Sequence, residues 1–209
     1  MLDAFALEGL KLLPKNLVSR AMGGFAQIRW PGPIQVLVNR ISASLLAIDA
    51  DEARRWRAIN DDVMGGVSRG GIRGEDGIGV FHGETSLANN GGFASVRREP
   101  QPMDLAGWAG VVLRVRGDGR RYQLRLRTEQ LFDGGAYRAT FQPPAGTWQR
   151  IALPWQAFAA VFRGRRLADA PPLDPAAIEQ LGILIADRQA GPFRLEIAWL
   201  AALADAAAK

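Results

Sequence analysis

The stretch Val111-Val112-Leu113-Arg114-Val115-Arg116-Gly117-Asp118-Gly119-Arg120-Arg121-Tyr122-Gln123-Leu124-Arg125-Leu126-Arg127 decides how the chain is read. Val111, Leu113 and Val115 alternate with Val112, Arg114 and Arg116, and Tyr122, Leu124 and Leu126 alternate with Gln123, Arg125 and Arg127. A period of two sends successive side chains to opposite faces, so both runs predict half-buried strands. Gly117-Asp118-Gly119 supplies turn chemistry between them, which predicts a hairpin with Arg114, Arg116, Arg125 and Arg127 on one shared face. Like charges on adjacent strands repel unless anions or acidic groups lie near, so this face is a candidate contact for an anionic partner. A solvated face balanced by Asp or Glu from other strands accounts for it equally well.

The same pattern recurs on both sides of this stretch. Phe193, Leu195, Ile197 and Trp199 alternate with Arg194, Glu196 and Ala198, and Tyr137-Ala139-Phe141 and Val80 to Leu87 repeat it. Asp133-Gly134-Gly135 and Pro143-Pro144-Ala145-Gly146 separate the runs as turns. Many short strands with almost no helical period between them predict a β-sandwich or jelly roll from about Arg54 to the end, with one helical turn over Pro175 to Leu181.

Before Arg54 the period is helical. Leu2, Phe5, Leu10 and Leu13 fall at three-to-four spacing up to Pro14, and a second segment runs from Ser19 to the Pro31-Gly32-Pro33 breaker. A third covers Ile34 to Ile48, with Leu37, Val38, Ile41 and Leu45 on its face. The expected organisation is therefore a helical segment over 1–53 and a β-sandwich over 54–209. Lys11, Lys15 and Arg20 lead a basic excess in the first segment, and short basic helices with one apolar face suit an anionic membrane surface. Packing on the sandwich, or an oligomer contact, explains the same helices. No run reaches the roughly 18 apolar residues of a membrane span, and no signal or transit peptide is expected from the first residues.

The whole chain has 209 residues, a net charge of +5 and no cysteine. The basic balance fits an anionic neighbour, although the predominance of Arg over Lys is also what a GC-rich genome produces. Disulfides, thiolate zinc sites and cysteine nucleophiles are excluded by composition. The one histidine, His82, lies on the strand face opposite Phe81 and has no recognisable nucleophile elbow or clustered ligands beside it. Phosphate-loop and dinucleotide fingerprints are missing, and acidic residues are scattered among turns. The expectation is a protein that is not an enzyme, with no cofactor, no metal site and no nucleic-acid partner, because the arginine face has no interleaved aromatic side chains for base stacking.

Two polar, glycine-rich clusters stand out: Asn60-Asp61-Asp62-Val63-Met64-Gly65-Gly66-Val67-Ser68 and Asn89-Asn90-Gly91-Gly92-Phe93-Ala94-Ser95. Asn and Asp bond to nearby backbone and paired glycines permit positive φ, so the clusters suit tight connections and bulges. The alternative is a polar-ligand or calcium pocket using Asn60, Asp61, Asp62, Gly65, Gly66, Ser68, Asn89, Asn90, Gly91 and Gly92, though Asn60, Asp61 and Asp62 supply only part of a calcium shell.

These clusters carry a resemblance. Trp56-x-x-Ile59-Asn60-Asp61-x-Val63-Met64-Gly65-Gly66-Val67-Ser68, Phe81-x-Gly83, Asn89 to Arg97, Arg116-Gly117-Asp118-Gly119-Arg120-x-Tyr122, Trp148, Leu153-Pro154-Trp155, Phe158 and Phe193-x-Leu195-Glu196-Ile197 together resemble the complex I intermediate-associated protein 30 family over roughly residues 54–202. Asp62 departs from the Gly usual there. The resemblance implies a galactose-binding-like jelly-roll sandwich, and, for mitochondrial members, a role in assembling respiratory complex I. The first 53 residues resemble the start of phosphatidylserine decarboxylase, through Met1-Leu2-Asp3-x-Phe5-x-Leu7, Leu12-Leu13-Pro14-Lys15, Ser19-Arg20 and Ile48-Asp49-x-Asp51-Glu52-Ala53. That implies membrane association without decarboxylation, because the self-cleaving Leu-Gly-Ser-Thr motif is missing.

The functional expectation is a binding or assembly factor for subunits of a membrane protein complex, cytoplasmic and peripherally membrane-associated through the N-terminal helices. A small-ligand or carbohydrate-binding sandwich module is the alternative. Phospholipid chemistry has no source for its covalent electrophile here.

Overall fold

Alternating strands with turn-forming connections pack as two layers in the computed structural model, which describes residues 44–131 and 134–204. In chain order the elements are β1 Ser44–Leu46, α1 Ala50–Ala53, β2 Trp56–Ala58, β3 Arg69–Glu75, β4 Ile78–Thr85, β5 Ala94–Arg98, β6 Gly110–Arg116 and β7 Tyr122–Thr128. They continue with β8 Gly135–Phe141, β9 Trp148–Pro154, β10 Ala159–Phe162, β11 Arg165–Arg166, β12 Ile178–Ile185 and β13 Gly191–Leu203. One sheet runs β3-β4-β13-β6-β9, with β1 alongside β13, and the other runs β11-β10-β8-β7-β12-β5-β2. The chain is mainly β, a two-sheet sandwich. Pro175–Ala177 is a 3-10 turn, and the strand β12 follows it at once.

The core is the set of inward positions the alternation predicts. Val111, Leu113, Val115, Tyr122, Leu124 and Leu126 are all fully buried. Across the interface Phe81 of β4 meets Tyr122 of β7 edge-on at 6.3 Å, and Phe193 packs tilted on Phe81 at 4.8 Å. The β3–β4 hairpin closes on Asp76 and Gly77, both at positive φ, the two-residue turn whose twist matches the strands.

Three features differ from the sequence expectation. First, β6 and β7 do not pair: β6 lies between β13 and β9 in the first sheet, β7 between β12 and β8 in the second. The connection after Arg116 crosses the roughly 10 Å between sheets, a span that residues 117–121 reach and a two-residue turn does not. Asp118 fixes this crossing by accepting from Tyr122 Oη at 2.9 Å on one side and from the Arg194 backbone N–H at 2.8 Å on the other. Second, β13 slips register between Ile197 and Trp199 against β6, so one extra residue turns Trp199 outward, opposite Arg114, rather than inward with Ile197.

Third, the end of the helix expected over Ile34 to Ile48 is a strand, with Ser44 opposite Ala201 on β13, and Ile48 is fully buried. The rest of that helix, the two helices before it, the membrane-surface residues Lys11, Lys15 and Arg20, and Asp133 lie outside the described residues. Asp49 caps α1 by accepting from the Asp51 and Glu52 N–H groups at 3.0 and 2.8 Å. Glu52 then takes a bidentate pair from Arg98 of β5, at 2.6 and 3.1 Å, with Trp56 Nε1 donating to it at 2.9 Å. The stretch from Ile48 to Ala53 thus works as a clamp on the sandwich.

Candidate functional site

Asp61 organises both glycine-rich clusters. Its side chain is fully buried and accepts from the Ser68 N–H at 2.8 Å, Ser68 Oγ at 2.5 Å, the Gly92 N–H at 2.7 Å and the Phe93 N–H at 3.2 Å. Burial pushes the carboxyl upward, but these four donors outweigh it and hold its pKa below the usual carboxylate value. Gly66 and Gly91 are required here, because a Cβ on either overlaps the Asp61 carboxylate. Ser68 Oγ accepts from the Ser86 N–H at 2.9 Å, and Asn89 Nδ2 donates to Gly65 O at 3.2 Å, so the loops after β2 and β4 form one cap. Asn60 sets the cap on the sheets, accepting from the Ser95 N–H and donating to Gly70 O, each at 3.2 Å.

This arrangement answers to the tight-connection account of the clusters. Both Asp61 oxygens already take protein donors, and Asp62 is exposed within a 3-10 turn over Asp61–Met64. Among the described residues no group of three or more His, Cys, Asp or Glu is placed to hold a metal ion. The Asp62 carbonyl accepts from the Gly65 N–H at 3.0 Å and so closes this turn.

Beside the exposed polar residues Asp62, Asn89 and Asn90, the cap holds out apolar side chains. Among the described residues the exposed large hydrophobic side chains are Val63 at 69%, Met64 at 60%, Val67 at 51% and Leu87 at 38%, and all four stand on these two loops. Exposed apolar side chains gathered on two loops that are hydrogen-bonded to each other are a candidate interaction surface.

The four arginines expected on one face are divided between the two outer faces of the sandwich. Arg114 and Arg116 lie on the first sheet, where Arg116 pairs with Glu196 and stacks 5.1 Å over Trp148. Arg114 lies 5.8 Å from the same ring, and its cross-strand neighbour Arg150 is 5.5 Å over Trp199. Aromatic rings do interleave with arginine on this face, contrary to expectation, because the bulge at Ala198 and the pairing with β9 bring them there. His82 sits at the other end of the same face against Arg73, and burial with the Arg73 charge holds its pKa below the usual imidazole value. Arg125 and Arg127 are on the second sheet. Trp199, Arg150 and the Glu52–Arg98 clamp carry no local sequence signal, since register with distant strands makes them.

Residues 46–197 match the family model of complex I intermediate-associated protein 30. The chain belongs to this family. It is 27% identical over 142 residues to the mitochondrial complex I intermediate-associated protein 30 of Drosophila melanogaster, covering 58% of this chain and 48% of that protein. It is 26% identical over 119 residues to the Neurospora crassa protein of the same name, covering 54% and 42%. The chain thus spans about half the length, or less, of these curated relatives. Among solved structures it resembles the family 11 carbohydrate-binding module of Clostridium thermocellum, at a TM-score of 0.51 and 18% identity over 76% of this chain and 95% of that one. An agarase gives 0.53 and 12%, over 78% and 25%. At such identity the likeness shows the sandwich fold alone.

Proposed function

We propose that the chain is a non-enzymatic binding and assembly factor for a membrane respiratory complex, and that it docks on a subunit of that complex through the apolar cap held by Asp61. The observation that carries this is the cap itself. The residues by which the chain resembles its family build a buried polar knot that holds Val63, Met64, Val67 and Leu87 in solvent. A loop whose only task is to close a sandwich has no need to expose them. The family name supports the choice of partner, and we read the sandwich as the galactose-binding-like jelly roll that goes with it.

The carbohydrate-binding alternative has less support. Trp56 is buried, Trp108 and Trp155 pack against the core, and Trp148 and Trp199 lie beneath arginine guanidinium groups. None of the described tryptophans is thus a bare platform for a sugar ring. On this proposal the N-terminal segment, through Lys11, Lys15 and Arg20, holds the protein peripherally at the cytoplasmic face of the membrane that carries the complex.

The test is crosslinking in native membranes followed by capture of the full chain. The expected result is recovery of respiratory-complex subunits above an untagged control. Recovery of only unrelated proteins overturns the assembly reading.

A further inference from the structure

The outer face of the second sheet carries a line of arginines that lie far apart in the chain. Arg138 is opposite Arg125, Arg125 opposite Gly182, Gly182 opposite Arg97, and Arg97 opposite Arg57. Their strand neighbours Tyr137, Leu124, Ile183 and Val96 fill the core, so these five positions point outward. At about 4.8 Å per strand the row extends roughly 19 Å across β8, β7, β12, β5 and β2. Gly182 interrupts it with no side chain, and a cleft of about 60 Å³ opens there, walled by Arg97, Arg125 and Arg127.

Arg125 is half-buried in this cleft, and its side-chain bonds go to the Gln123 Oε1 amide oxygen, at 3.4 and 3.2 Å, rather than to a carboxylate. Among the described residues neither Arg125 nor Arg138 has an ion-pair partner. Burial, with the charges of Arg138, Arg127 and Arg97, brings the Arg125 pKa down to about 10, while Asp187 acts in the opposite sense. Arg125 and Arg138 lie directly opposite each other on neighbouring strands, and two like charges so placed repel unless an anion joins them.

We propose that this face binds an acidic polypeptide segment, whose carboxylates pair with Arg125 and Arg138. The planar guanidinium fork pairs well with carboxylate. An extended chain places alternate side chains about 6.8 Å apart, so three carboxylates cover roughly 14 Å of the row. The row crosses five strands on the outer face of the sheet, which suits an extended chain better than a single small ion. No aromatic ring lines it among the described residues, so bases and sugar rings find nothing to stack on. The site is separate from the apolar cap and holds whatever the identity of the assembly partner.

Fluorescence anisotropy of a labelled hexaglutamate peptide with the full chain tests this. Binding at about 25 mM salt is expected to weaken by roughly tenfold or more at about 200 mM. Arg125→Gln and Arg138→Gln are each expected to weaken it about tenfold, whereas Arg150→Gln, an equal charge change on the opposite sheet, leaves it unaltered. Hexaglutamine is expected not to bind. The thermal midpoint of Arg125→Gln should equal or exceed that of the parent, since a crowded cation is removed. The proposal is overturned by absence of binding to the parent protein, by equal loss with Arg150→Gln, by displacement with inorganic phosphate at the same charge concentration, or by unfolding of both cleft variants.

Discussion

At Asp61 one carboxylate satisfies donors from two loops that are distant in sequence, and the cap depends on its being a charged acceptor. Asp61→Asn keeps the volume but turns an NH₂ donor toward N–H and O–H donors. The expected cost at neutral pH is roughly 2–3 kcal/mol, read from denaturant midpoints. The folded-state pKa is depressed, so the stabilisation is complete above the ordinary carboxylate pKa and is lost as the pH falls through the lower folded value. The difference between parent and variant should therefore shrink below about pH 4. A gap that stays constant through the acid range would mean that the charge contributes nothing. The sequence showed that Asn, Asp and paired Gly shape these loops. It did not single out Asp61 over Asp62, because only the fold decides which of two adjacent acids turns inward.

Among the elements, α1 and β1 change most between sequence and structure. A helical period through Ile48 is cut short because the long strand β13 offers Ser44–Leu46 a free edge beyond the end of β4. Sheet pairing then overrides local propensity. The Glu52–Arg98 pair ties α1 to β5 of the second sheet with both side chains nearly buried, at 11% and 5% exposure. Glu52→Gln leaves Arg98 uncompensated and is expected to destabilise by about 3–5 kcal/mol, while Glu52→Leu with Arg98→Met is expected to recover most of that loss. Equal destabilisation by the single and double variants in urea unfolding would contradict this. The strands themselves were legible, since Tyr122, Leu124 and Leu126 are buried in full as their alternation requires. Their partners were not. A Gly-Asp-Gly turn reads the same whether the chain doubles back or crosses to the other sheet, and a bulge such as that at Ala198 has no fixed signature.

For the whole molecule, the consequence of the crossing after β6 is that positive charge is spread over two opposite faces, one with Trp148 and Trp199, the other with the arginine row. Among the described residues no helix is long and apolar enough to cross a membrane. On the proposed attachment, the full chain should co-sediment with anionic vesicles, and Lys11→Glu with Lys15→Glu and Arg20→Glu should weaken this by well over tenfold, at about 1 kcal/mol per basic residue lost. Unchanged sedimentation of that triple variant would move the membrane contact to the arginine faces.

The central claim is that the cap built around Asp61 is where the protein meets its partner complex. The most direct measurement compares the parent chain with Met64→Asp combined with Val67→Asp, both exposed positions whose change leaves the core and the Asp61 bonds in place. The expected result is an unchanged thermal midpoint together with loss of crosslinked respiratory-complex subunits from native membranes. Full recovery of those subunits by the double variant would contradict the account.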